Sequence, residues 1–197
     1  MEIAVREFEF HFEERHVAHS HALHSTQRGK GAYTVGPLAR FNLNFDRLSL
    51  LTREVAEDIG VKPPLRNPFK SIIVRALETL SAYDEAVRIV EQYEEPEAAA
   101  VKVIVRAGTG FGATEAPRGL LYHRYRIGDD GRIQDANIVP PTAQNLSTIE
   151  NDVRRFVSKN VDLPRELLTW KTEQAVRNYD PCISSATHFV RLTVDDR

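Results

Sequence analysis

The chain has 197 residues, 42% of them hydrophobic, with 26 basic against 28 acidic side chains and a formal net charge of −2. That is apolar material for one sizeable core, without the basic surplus that holds a nucleic-acid backbone or a run near the roughly 20 apolar residues that span a bilayer. The opening residues carry neither a basic leader nor a signal core, and one cysteine excludes an intramolecular disulfide framework, so a cytoplasmic address is expected.

Ile3 and Val5, then Phe8, Phe10 and Phe12, alternate at period two with a slip near Arg6 and Glu7, the pattern of a bulged strand with one buried face. His16, His19, His21 and His24 follow. Imidazoles invite a metal reading, but these spacings match no zinc signature and no cysteine lies nearby, so structural roles are expected. Gln27 to Pro37, with Gly29, Gly31 and Gly36, reads as a loop. Asp46 is a candidate cap for a helix carrying Leu48, Leu51, Val55 and Ile59 and stopped at Gly60. Pro63-Pro64 keeps the chain extended. Asn67-Pro68 then starts the longest helix, to about Tyr93, whose face is lined by Phe69, Ile72, Ile73, Ala76, Leu77, Leu80, Tyr83, Val87 and Val90.

Val101, Val103 and Val105 read as a short strand, and Gly108 to Gly119 as a glycine-rich loop. Leu120 to Ile127 and Arg132 to Val139 are strands around a hairpin signal at Gly128-Asp129-Asp130-Gly131. Thr142 can cap a helix with Leu146, Ile149, Val153 and Phe156 inward, and Pro164 opens another with Leu167, Leu168, Val176 and Tyr179 inward. Phe189 to Val194 reads as a closing strand. With no repeat and no clean linker, residues 1–197 read as one α+β domain.

Three blocks stand in order: Gly112-Ala113-Thr114-Glu115-Ala116-Pro117-Arg118-Gly119, then Val139-Pro140-Pro141-Thr142-Ala143-Gln144-Asn145, then Asp180-Pro181-Cys182-Ile183-Ser184-Ser185-Ala186-Thr187-His188. Taken singly they say little. A lone cysteine is often a small buried hydrophobe, an arginine such as Arg118 is usually a surface or salt-bridged group, and a threonine such as Thr142 is usually a cap. Together they resemble the C-terminal half of the large subunit of nickel-iron hydrogenases, most of all the cytoplasmic branch linked to NAD(P) or cofactor 420. The stretch from His24-Ser25 to Gly36-Pro37-Leu38-Ala39-Arg40 is covered by the same resemblance.

The resemblance implies an α+β fold, a helical-bundle part with one long helix beside a small antiparallel sheet. It implies a nickel-iron centre with carbon monoxide and cyanide ligands, Arg118 over the metals, Pro117 excluding water beside it, and Thr142 bonding a cyanide. Asp180 matches the aspartate that contacts the arginine, Glu115 supports that network, Cys182 matches the terminal nickel ligand, and His188 matches a magnesium-binding residue. Ser185 stands where the cysteine bridging nickel and iron is expected, and the chain offers one thiolate where the family uses four. An alcohol is far less acidic than a thiol and lacks sulfur's preference for such metals.

The expectation is therefore a truncated family member, inactive as this chain alone and without its own nickel-iron centre. The resemblance implies as partner an N-terminal half or an iron-sulfur small subunit, and the long apolar helix face adds self-association. The alternatives are a non-catalytic scaffold derived from the hydrogenase fold and an independent binding module.

Overall fold

The computed structural model describes residues 2–182. Ser185, His188 and the strand expected at Phe189 to Val194 lie outside the described residues. Among the described residues, six α-helices accompany a three-stranded and a two-stranded antiparallel sheet, in keeping with the α+β expectation.

The N-terminal strand expected from Ile3 to Phe12 is instead a 3-10 turn at Val5–Glu7, a helical turn α1 (Phe8–His11) and a short strand β1 (Phe12–Arg15) paired with β2 (His24–Gln27). Stacking decides the difference. In a helical turn Phe8 and Phe12, four residues apart, fall on one side; their rings stack at 4.6 Å, and Phe8 also stacks on Tyr122 at 4.2 Å. Phe10, which the alternation placed inside, is 77% exposed.

Gly36 and Pro37 end the loop and open a helix, α2 (Pro37–Asn44), that the glycine-rich context concealed. The next helix starts later than expected. Asp46 lies in a 3-10 turn at Phe45–Arg47, and α3 (Leu50–Asp58) is capped by Ser49, whose hydroxyl accepts from the Thr52 N–H at 3.3 Å. Gly60, at φ 68°, supplies the left-handed stop. Asn67 accepts from the Phe69 N–H at 3.0 Å, and a 3-10 turn leads into α4 (Ser71–Glu91). Phe41, Ala56, Val61, Leu65, Val74 and Leu77 form the core where α2 and α3 pack on α4, with Ile73 against it. Of the expected apolar face, Leu77 and, in part, Ile73 are covered from within the chain, whereas Phe69 and Ile72 stay 46% and 60% exposed, because the helix turns Val74 to the core.

Val101, Val103 and Val105 form no strand; they are exposed and pair with none of the described strands. The segment read as a glycine-rich loop is a strand, β3 (Gly108–Ala116). It pairs residue for residue with β4 (Gly119–Ile127), which pairs in turn with β5 (Ile133–Val139) across the expected hairpin. Glycine weakens a strand, but nine successive partners on β4 outweigh that weakness. Tyr122 and Val139 are buried against Phe8. From Val139 the chain enters α5 (Pro141–Lys159), which buries Leu146 and Ile149, and then α6 (Arg165–Arg177), which buries Leu168. Among the described residues, no helix is long and apolar enough to cross a membrane.

Candidate functional site

The run from Asn178 to Cys182 is held by hydrogen bonds to α4, to α5 and to the turn between β3 and β4. The Ser71 hydroxyl at the start of α4 donates to the Asn178 carbonyl, and the Tyr179 hydroxyl donates to the Asp152 carboxylate on α5. Burial, with the bond and negative charge of Asp152, pushes the Tyr179 hydroxyl well above the usual tyrosine range, so it remains a donor at neutral pH. Arg118, in the turn between β3 and β4, donates from Nε to the Asp180 carbonyl at 2.6 Å. The Cys182 N–H reaches the Thr142 hydroxyl at 3.4 Å.

Thr142 is therefore not the cap the sequence suggested. Helix α5 begins with Pro141 in its first turn, and Pro140 stands at the cap position without a side-chain bond, so the Thr142 hydroxyl is available to the residue ahead of the 183–188 stretch. Asp180 has φ 48°, a left-handed conformation that aspartate tolerates better than most residues. The kink sends its carbonyl to Arg118 and its carboxylate between two arginines. Asp180 Oδ2 lies 3.4 Å from Arg118 Nε and 3.8 Å from Arg75 Nη1. These groups are partly solvated, so the pairings orient more than they stabilise.

Arg118, Thr142 and the Asp180–Cys182 segment thus come together from three places in the chain. Glu115 and Pro117 sit on the adjoining wall, where the Glu115 carboxylate and the Pro117 carbonyl both bond Arg40. An open groove of about 770 Å³ runs between this wall and α4, lined by Arg40, Arg75, Glu78, Glu115, Pro117 and Asp180. Sequence reasoning missed Arg40, Arg75 and Ser71. Arg40 had a signal, since it stands one helical turn after Gly36-Pro37; Arg75 and Ser71 lie on a helix read only for its apolar face.

The histidine cluster is partly structural. His24 is buried on β2 with Nε2 3.6 Å from Glu150 Oε1, while the exposed His19 reaches the same oxygen at 2.7 Å. Burial lowers the pKa of His24 below 6.5, against the opposing pull of Glu150. Among the described residues, no three histidine, cysteine or acidic side chains are placed to hold a metal ion.

The sequence pattern of nickel-dependent hydrogenases matches residues 23–188. The chain is 34% identical over 178 residues to sulfhydrogenase 1 subunit alpha of Pyrococcus furiosus, covering 89% of this chain and 41% of that one. It is 30% identical over 174 residues to the NAD-reducing hydrogenase HoxS subunit beta of Cupriavidus necator, covering 82% and 35%. A crystal structure of an NAD+-reducing NiFe-hydrogenase in the H2-reduced state superposes with a TM-score of 0.75 at 26% identity, over 92% of this chain and 42% of that one. The Ni-Fe-Se hydrogenase of D. vulgaris Hildenborough shares the fold at a TM-score of 0.57 and 20% identity. The chain spans about two fifths of the length of these relatives.

Proposed function

Because the chain belongs to the nickel-dependent hydrogenase family, we propose that it works as the C-terminal part of a hydrogenase large subunit. The observation that carries this reading is the convergence of Arg118, Thr142, Asp180 and Cys182 on one short segment. In this proposal Arg118 and Asp180 form the outer wall of a metal pocket, with Pro117 and Glu115 beside them. Thr142 orients the backbone at Cys182, which stands where the family has its terminal nickel ligand, and His188 stands where it has a magnesium-binding residue. The chain resides in the cytoplasm as one domain over residues 1–197. It assembles with the remaining large-subunit portion, with an iron-sulfur small subunit, or with a second copy of itself.

The donor set of this chain does not fit a nickel-iron centre held by four thiolates. The sequence holds one cysteine, and Ser185 offers an alcohol that neither ionises as readily as a thiol nor matches its softness. No step through such a centre is assigned to these residues alone. What they supply is a guanidinium held beside a carboxylate and a hydroxyl bonded to the backbone of the single cysteine. The second reading, a non-catalytic scaffold, is favoured by Ser185, since an assembled enzyme needs that thiolate as much as an isolated one.

The test is metal analysis and infrared spectroscopy of the anaerobically purified chain, alone and as Ser185→Cys, with hydrogen-dependent dye reduction. Neither form should contain stoichiometric nickel with iron, show cyanide and carbon monoxide bands, or reduce the dye. Either form doing so overturns the inactive reading. Restored activity when Ser185→Cys is supplied with a complementary chain bearing a cysteine pair favours the subunit reading over the scaffold.

A further inference from the structure

Arg40, in the first turn of α2, has five guanidinium N–H groups, and all five find acceptors. Nε and Nη2 bond the two oxygens of Glu78 on α4, each at 2.8 Å. Nη1 donates to Glu115 Oε2 at 2.6 Å and to the Ala116 carbonyl at 2.9 Å, and Nη2 also donates to the Pro117 carbonyl at 2.9 Å. A fork with no spare donor is not poised to capture an anionic ligand. It joins α4 to the three residues that precede Arg118.

A second contact grips the other end of this turn. Gly36 and Gly119 lie back to back at φ 99° and φ 135°, and a Cβ on Gly36 would stand 2.4 Å from the Arg118 carbonyl oxygen. A Cβ on Gly119 would stand 2.5 Å from Val35 Cγ2 and 2.8 Å from the Gly36 nitrogen. The entry to α2 therefore touches the backbone just after Arg118, and Arg40, one turn later, holds the backbone just before it.

We propose that Arg40 is a positioning residue that fixes the Glu115-Ala116-Pro117 backbone and so aims the Arg118 guanidinium at Asp180. Its functional meaning rests on the reading of Arg118 given above. A lysine would keep the charge but not the planar fork, and its three N–H groups cannot serve a bidentate carboxylate and two carbonyls together.

Hydrogen exchange of the Arg118 Nε–H, followed by NMR on the isotope-labelled full chain, tests it. Arg40→Lys should accelerate this exchange at least about tenfold, the scale of one lost charge-assisted hydrogen bond, while the Val74 and Leu77 amides keep their protection. Glu115→Ala, which removes one acceptor at an exposed position, should accelerate it by a smaller factor and decides the matter if Arg40→Lys fails to fold. Arg88→Lys, on the exposed end of α4, should leave it unchanged. An unaltered Arg118 rate in Arg40→Lys, or in Glu115→Ala when that variant decides, overturns the proposal. So does an equal loss of protection at Val74 and Leu77, the mark of a merely structural role. None of these readouts involves metal, so they stand or fall separately from the hydrogenase reading.

Discussion

At the residue scale, the glycine pair behind Arg118 makes the sharpest demand. Gly119→Ala combines a left-handed backbone with a Cβ that would overlap Val35 and the Gly36 nitrogen, so it should cost more than about 2–3 kcal/mol of stability. Gly29→Ala is the control. Its φ of 69° is also left-handed, but nothing lies within 4 Å of the added carbon, and the expected cost is only about 1–2 kcal/mol. Urea unfolding of the two variants checks the difference; equal losses would show that Gly119 is retained for its conformation and not for the contact. The meeting of Arg118 with Asp180 was legible in the sequence because their blocks resemble a known order. Arg40 and Ser71 were less so, since their bonds join residues 38 and 107 positions apart, a separation that no local pattern records.

At the scale of elements, local patterns failed where long-range partners decide. Strand β3 carries glycines at 108, 110 and 112, read as a loop until β4 supplies its ladder; the valines from 101 to 105 had the better strand pattern and pair with none of the described strands. The turn α1 shows the same lesson, because Phe8 found Tyr122 from β4. Its neighbour Glu9 makes the joint testable. Glu9 Oε1 accepts from Arg124 at 2.7 Å, Asn137 at 2.9 Å and Tyr122 at 3.2 Å. Burial works to raise the pKa of this carboxyl, but the bonds from Arg124, Asn137 and Tyr122 outweigh it and leave the group below its ordinary value of 4.5. A carboxyl depressed on folding contributes stability that is complete above the unfolded value and is lost as pH falls through the folded one. Glu14, raised chiefly by burial and then by Glu9, acts in the opposite sense, and Glu9→Gln also relieves Glu9's part of that rise, so the comparison reads the Glu9 effect net of its influence on Glu14. The wild-type urea midpoint should fall between roughly pH 6 and roughly pH 3 more steeply than that of Glu9→Gln. Parallel slopes would remove Glu9 from the account of how α1 is fastened to the sheet.

At the scale of the whole molecule, the surface is too large for the chain to be content alone. The accessible surface is 14334 Å², whereas a compact monomer of 197 residues and 22.3 kDa presents roughly 9,400 Å². A run of exposed apolar residues adds to the excess. Helix α4 buries Val74 and Leu77 under α2 and α3, but among the described residues nothing covers most of its apolar surface beyond Leu80: Tyr83 is 71%, Val87 58% and Val90 75% exposed, and after the helix Tyr93, Val101 and Val103 are 69%, 86% and 79% exposed. Leaving such surface wet forfeits roughly 25 cal/mol per Å², a strong inducement to associate in a domain whose total stability is about 5–15 kcal/mol. Sedimentation at rising micromolar concentration should therefore show mass increasing above the monomer. Val87→Asp with Val90→Asp should restore the monomer without lowering the unfolding midpoint appreciably, since both side chains already face water. A wild-type chain that stays monomeric and binds no apolar dye would mean that the open face of α4 is tolerated, and the case for a partner on that face would fall with it.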